Sequence, residues 1–375
     1  PGIDTDGDGI GNACDADYNN DGVTTLLDFS LFISCFQEAS YDNGSACAEV
    51  DTTGDGAVTT IDFSPFLRQF IDGQPGESGL ACANSTAQSP SCPAYGALYE
   101  RLDDWLGDIT TVDNYLLIDN IESLTNLYGL ENLTHVSGDI IISNNPALTI
   151  LDGLANLASV TGFINISNNA TLANIDGLSN LTGGNRGVTI QGNAALTNVD
   201  GLANLTSLNS SLIIQDNAAL TNVDGLAGLT DVRGPMTIQD NAVLTDVDGL
   251  GSLQSTWYDL TIAGNPALVD IDGLLSFGSS YHSVIIDNND ALTNVGGLRS
   301  LGYARSLQIT NNPSLTHVSD LGSQLILDDL IISGNDALTD IDGFANIEEC
   351  YDLTISNNAT LAHLGQLSND TFIYY

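Results

Sequence analysis

Eighteen positions within the first 62 residues have the identity and spacing to hold a hard cation. They fall into three twelve-residue loops: Asp4, Asp6, Asp8, Ile10, Asn12 and Asp15; Asp17, Asn19, Asp21, Val23, Thr25 and Asp28; and Asp51, Thr53, Asp55, Ala57, Thr59 and Asp62. In each loop, positions one, three and five offer side-chain oxygens, position seven a backbone carbonyl, and position twelve closes the shell. Gly9, Gly22 and Gly56 stand at position six, where the chain must turn sharply. A divalent cation that takes several oxygen ligands at about 2.4 Å fits this donor set, so Ca2+ is the expected cofactor. The closing residue is Asp in all three, one methylene shorter than the Glu that usually closes such a shell in bidentate fashion. The plainer alternative is three acidic turns without metal.

Loops of this kind need an element to hold them. Phe29, Phe32, Ile33 and Phe36 follow the second loop at i, i+3, i+4 and i+7, and Phe63, Phe66, Leu67 and Phe70 repeat that stripe after the third. The spacing predicts two helices that pack their aromatic faces together. The paired units NNDGVTTLLDFSLFISCF and TGDGAVTTIDFSPFLRQF resemble a type I dockerin, whose tandem calcium loop-helix units dock onto a cohesin. The opening DTDGDGIGNACDAD resembles a thrombospondin type 3 repeat, an extracellular calcium module. The resemblance implies that the loop positions above are the metal ligands and that the protein is secreted to the extracellular space or cell surface. Leu26-Leu27 and Thr60-Ile61 stand where a dockerin's partner-reading pair is Ser-Thr-like, a departure that puts a cohesin-like partner in doubt.

Five of the six cysteines (Cys14, Cys35, Cys47, Cys82 and Cys92) precede residue 93, without the paired spacing of a zinc site. Disulfides suit a small extracellular module better. The expected pairs are Cys35 with Cys47 and Cys82 with Cys92, leaving Cys14 to a partner before Pro1 and Cys350 alone.

The rest of the chain is a repeat. Gly129, Gly153, Gly177, Gly201, Gly225, Gly249, Gly273 and Gly297 are 24 residues apart, and Asn145, Asn169, Asn193, Asn217, Asn241, Asn265 and Asn289 keep the same step. An Ile stands three residues before each Asn, from Ile142 to Ile355. A fixed period of this length marks a solenoid, in which stacking of coils supplies the core that one repeat lacks. Leu212 and Ile214 alternate as in a short strand, whereas Leu220, Val223, Leu226, Leu229 and Val232 recur every third residue, as along a coil that bends inward. The Asn column is expected to be a buried ladder that pairs turn amides, and the Gly column a site of positive φ or close backbone approach.

This LxIxxNxxL pattern resembles bacterial leucine-rich repeats and the receptor L domain, which implies a mainly β, right-handed β-solenoid behind a small α-helical calcium module. The expected organisation is a thrombospondin-like loop (1–16), a dockerin-like module (17–72), a Gly/Pro/Ser-rich linker (73–94), an N-terminal cap helix (95–114), solenoid repeats (115–367) and a strand-like tail (368–375). The tail, TFIYY, either pairs with a neighbouring molecule's exposed strand edge or caps its own last coil.

Charge narrows the function. Six basic residues, all Arg, oppose 48 acidic ones for a formal net charge of -42, which repels nucleic acid and anionic membrane surfaces. No apolar run is long enough to span a bilayer. An Asp precedes the column Gly at Asp152, Asp176, Asp200, Asp224, Asp248, Asp272 and Asp342. Stacking brings such carboxylates to about 4.8 Å, so they are expected to bond turn amides, spread apart, or be bridged by cations. A Thr column (Thr149, Thr197, Thr221, Thr245, Thr293, Thr316, Thr339) provides one rank per coil, a poor match to an ice lattice. The histidines His135, His282, His317 and His363 share no obvious register, and no nucleophile elbow, zinc-protease helix or phosphate loop occurs. The sequence therefore points to a non-catalytic, calcium-stabilised surface protein, structural or adhesive. It would either self-associate into a fibre or matrix or bind a surface glycan or protein as a monomer; a polysaccharide-degrading solenoid enzyme is the remoter alternative.

Overall fold

The structure is a computed structural model that describes residues 109–182, 186–318, 321–322, 325–343 and 347–364, with the backbone of 372–373. The three calcium loops with all their ligand positions, the paired helices, the first five cysteines and the linker lie outside the described residues. So does the helical stretch of the cap. Within the last part of the segment assigned to that cap helix (95–114), Thr111–Val112 is a strand that already pairs with the second coil.

Each repeat makes one coil. A four- to five-residue strand is its main element: Leu116–Asp119, Ile140–Ser143, Phe163–Ser167, Gly187–Gln191, Leu212–Gln215, Met236–Gln239 and Leu260–Ala263. From there on the strands lengthen to Ser279–Asp287, Tyr303–Thr310, Leu325–Ser333 and Ile347–Ser356. They pair in parallel, each with the coil before and after it. In the earlier coils a separate two-residue strand, such as Asp231–Val232 or Ser255–Thr256, precedes a bend into the main strand. Register follows the sequence columns: Ile214 lies beside Ile190 and Ile238, and Ile286 beside Ile262 and Ile309. Among the described residues no α-helix occurs; in the coils from Asp152–Leu154 to Gly296–Ser300 a single 3-10 turn, as at Asp224–Leu226, stacks on its counterparts.

The two spacings read from the sequence have one cause. In Leu212–Gln215 the side chains alternate, with Leu212 and Ile214 buried and Ile213 and Gln215 facing outward. Leu220, Val223, Leu226, Leu229 and Val232 are all fully buried, because each short segment turns inward before the next begins. A fully buried side chain of this size contributes roughly 1.5–3 kcal/mol, and every coil repeats the set. This apolar column is what holds together a chain whose surface is so strongly acidic.

Polar groups at the turns are paired by the buried Asn ladder. Asn217 Nδ2 donates to the Ile190 carbonyl at 3.0 Å, and the Asn193 amide donates to Asn217 Oδ1 at 3.1 Å. The same pair of bonds recurs from Asn145 to Asn358. The residue before each column Asn is left-handed: Asn144, Asn168, Gly192, Asp216, Asp240, Gly264, Asn288, Asn311, Gly334 and Asn357 all have positive φ, as does Asn120 before Ile121 at the equivalent place in the first coil. Only Asn, Asp and Gly occur there, the types that tolerate this conformation. Positive φ thus sits beside the Asn column. The Gly column, after its first member Gly129, is explained by close approach instead: a Cβ on Gly225 would lie 2.0 Å from the Val199 carbonyl oxygen of the preceding coil.

Two expectations are narrowed. The column Asp residues do not bond turn amides; the side chain two residues earlier does so, as Asn222 Oδ1 accepts from the Asp224 amide at 3.2 Å and Asp270 Oδ1 from the Asp272 amide at 3.1 Å. Asp152 to Asp272 open the 3-10 turns and stay exposed, which lets them spread into solvent. The tail's Phe372–Ile373 backbone pairs with Glu349 and Cys350 of its own last strand, the second of the two arrangements above.

Candidate ligand-binding surface

The bend between the short and main strands is where the coils differ most. In several coils it is closed by glycine, since a Cβ would meet backbone of the preceding coil within 2.2 Å at Gly138 and 2.6 Å at Gly234. One coil beyond Gly234 the position is Tyr258, and one beyond that His282. The residue before it runs Asn209, Arg233, Trp257, Tyr281. Two side-by-side files of small or polar residues become aromatic over neighbouring coils. The bend opens with them, and the strand Ser279–Asp287 runs through it without a break.

Trp257, Tyr258 and Tyr281 are exposed by 50%, 50% and 58%, and Tyr303 stands beside them. Trp257 and Tyr281 have ring centroids 6.0 Å apart, and Tyr281 and Tyr303 6.3 Å, each pair tilted by more than 50°. Tyr258 and His282 stack at 5.1 Å with their planes 23° apart. The Arg233 guanidinium lies 5.7 Å from the Trp257 ring centre, within cation–π range, and is held by Asp231 and Asn209. Arg305, on the coil of Tyr303, pairs with Asp328 at 3.5 Å. Asp259 Oδ1 accepts the Ser283 amide at 2.9 Å, and Asp231 Oδ1 accepts from the Ser255 hydroxyl at 2.9 Å. The outcome is a ridge of rings along the stacking direction, flanked by hydroxyls, an imidazole and paired charges.

Below the ridge, Thr256 is fully buried in the column that holds Leu208 and Val232, and its hydroxyl has no partner. The short strand retains its inward register at the cost of one buried polar atom.

Other candidate groups are placed as follows. His317 and His363 do share a column, with Asp340 between them, and His317 Nδ1 lies 2.8 Å from Asp340 Oδ2. The two 23-residue repeats there hid this register from a 24-residue count. The hydrogen bond from His317 holds the Asp340 carboxyl below its usual range. Asp248 is pushed up, first by burial and then by the neighbouring carboxylates of Asp246, Asp270, Asp224 and Asp272. Cys350 is buried and free, and desolvation raises its thiol to about 11. Among the described residues no three His, Cys, Asp or Glu side chains converge as a metal site. The Thr column is tied to backbone: the Thr221 hydroxyl donates to the Thr197 carbonyl at 3.1 Å, one coil back.

Sequence reasoning missed the ridge because exposed aromatics have no periodic signature of their own. Their signal is a break in the repeat, where rings replace the glycine or small residue of the bend.

No curated protein matches the chain significantly. Among solved structures, the crystal structure of a TLR13–ssRNA13 complex aligns with 16% identity over 72% of this chain and 50% of that one, with a TM-score of 0.23. This chain therefore spans half the length of that protein. No helix among the described residues is long and apolar enough to cross a membrane. The informative match lies ahead of the solenoid and includes Leu26-Leu27 and Thr60-Ile61, so it gives the doubt about a cohesin no support: residues 15–70 match the dockerin type I domain, a calcium-binding, cohesin-binding module of extracellular assemblies.

Proposed function

We propose that this protein is a non-catalytic component of an extracellular assembly, in which the front module holds calcium and docks onto a cohesin while the solenoid carries a binding surface outward. The observation that carries the reading is the dockerin type I match over residues 15–70, which takes in the second and third loops and both aromatic stripes. The donor set there fits the cation: Asp17, Asn19, Asp21, Thr25 and Asp28, then Asp51, Thr53, Asp55, Thr59 and Asp62, offer hard oxygen ligands, with the Val23 and Ala57 carbonyls completing each shell. Bound calcium would tie each loop to the start of its helix, and folding of the module would follow metal loading. We extend the same role to Asp4, Asp6, Asp8, Ile10, Asn12 and Asp15, which lie at or before the start of the match.

The non-catalytic part of the proposal rests on distribution. The repeat sets the solenoid's carboxylates in columns on exposed turns, as at Asp224, Asp248 and Asp272, whereas hydrolysis of a glycan needs a pair that flanks the scissile bond. The fibre alternative is the less favoured reading, since the Phe372–Ile373 backbone that could join a neighbour's strand edge pairs with its own last strand.

Titration calorimetry of the full chain against a panel of type I cohesins tests the reading. Binding to at least one cohesin in calcium, abolished by chelator, is expected. Failure of every cohesin to bind in saturating calcium would overturn the docking role.

A further inference from the structure

We propose that the ridge formed by Trp257, Tyr281 and Tyr303 binds a neutral polysaccharide, whose successive sugar rings lie along the stacking direction of the coils. This deepens the reading above by naming the class of ligand that the solenoid presents, and it rests on that reading.

The argument begins with charge. The chain carries -42 overall and only six basic residues, yet two of them, Arg233 and Arg305, flank this ridge, and each is paired with an Asp. Arg233 and Arg305 thus offset Asp231 and Asp328 one for one, so these pairs add no net charge beside the rings. An anionic ligand would be repelled by the protein as a whole. A cationic one would be repelled locally by the Arg233 guanidinium beside the Trp257 ring. A neutral ligand meets neither obstacle.

The chemistry of the ridge selects among neutral ligands. A sugar ring has one apolar face of C–H groups and a rim of hydroxyls, so it needs an aromatic face with hydrogen-bonding groups at its edge. The ridge supplies rings flanked by Ser255, His282 and the Asp231 carboxylate. Its ring-to-ring steps of 6.0 and 6.3 Å are comparable to one hexopyranose unit of an extended chain. Their mutual tilt suits a chain that twists from one sugar to the next. Protein interfaces also draw on Trp, Tyr and Arg, but at the centre of a patch from which charged residues are depleted; here the charged pairs Arg233–Asp231 and Arg305–Asp328 border a narrow file of rings. Tyr and Trp carry a polar handle beside a broad apolar face, the amphipathic character a glycan asks for.

The test uses the full chain in calcium, with affinity electrophoresis and depletion assays on cellulose, xylan and galactomannan, and with polygalacturonate and polylysine as charged probes. Retardation or depletion by at least one neutral polymer is expected, insensitive to salt. Trp257→Ala and Tyr281→Ala should each weaken it roughly tenfold, since a stacked aromatic contact is worth on the order of a factor of ten, and Trp257→Phe should restore part of it. Both positions are exposed, so the variants should melt like the parent, and cohesin binding should be unchanged in both. Absence of binding to all three neutral polymers would overturn the proposal, as would binding that survives the double variant. So would Trp257-dependent binding of polylysine alone. Because cohesin titration reports on the front module separately, absence of glycan binding by the unsubstituted chain with its cohesin binding intact refutes this inference and leaves the docking role standing.

Discussion

Replacing Asn217 with alanine should remove about 2–6 kcal/mol of stability from the solenoid, far more than its small size suggests. Two good hydrogen bonds end on this side chain: Nδ2 to the Ile190 carbonyl at 3.0 Å and the Asn193 amide to Oδ1 at 3.1 Å. Alanine leaves that carbonyl and that amide without these partners, in a position closed to water, and an unpaired buried group costs roughly 1–3 kcal/mol. The contrast is Asn358, which makes the same two bonds at 3.0 and 2.9 Å but in the last coil, where it is only half-buried. There water can replace the amide, so Asn358→Ala should cost about 1 kcal/mol or less. Guanidinium unfolding at fixed calcium, followed by circular dichroism, measures both. A shift in midpoint with an unchanged slope reports stability alone. If Asn217→Ala and Asn358→Ala prove equally mild, burial of the ladder does not govern its energetics and the reasoning fails.

Gly225→Ala should destabilise by about 1–3 kcal/mol or more, because the new Cβ would sit 2.0 Å from the Val199 carbonyl oxygen and only backbone movement relieves it; thermal melts check this. Thr256→Val should raise stability by about 1 kcal/mol, since it replaces an unpartnered buried hydroxyl with a methyl in a column already holding Leu208 and Val232; a loss would show that the hydroxyl has a partner. Asp248 and Asp340 should give opposite pH dependences. The folded value of Asp248 is raised above 3.8, so its penalty is absent below that pH and grows as pH rises through the folded value; Asp248→Asn should therefore stabilise at neutral pH and do little in acid. Asp340 is lowered, so its contribution is present above 3.8 and lost as pH falls through the folded value; His317→Ala should return its titration toward 3.8, as followed by carboxyl NMR shifts.

The solenoid was legible because stacking writes itself into identity. Ile, Asn and Gly can each be replaced at their column only at a cost that every coil imposes afresh. The Asn ladder followed from burial of turn amides, and the Gly column from the closeness of Val199 to Gly225 and its equivalents. What was not read lay on the outside, where packing does not constrain identity. The turn bond to the Asp224 amide comes from Asn222, two residues before the glycine-adjacent Asp that seemed the natural donor of oxygen. The left-handed position before each Asn was visible as a column limited to Asn, Asp and Gly, yet its neighbour drew attention away. His317, Asp340 and His363 were displaced by the 23-residue repeats. Trp257, Tyr258 and Tyr281 belong to no consensus at all, and only the coil geometry brings them into files with Arg233 and His282.

The central claim is a division of labour, with a calcium-dependent docking module in front of a solenoid that stands on its own packing. Hydrogen-exchange mass spectrometry of the full chain, with calcium and then with chelator, tests it most directly. Chelation should abolish protection across residues 17–72 and leave the core strands between 109 and 364 unchanged. Loss of protection throughout the solenoid, or undisturbed protection across 17–72, would contradict it.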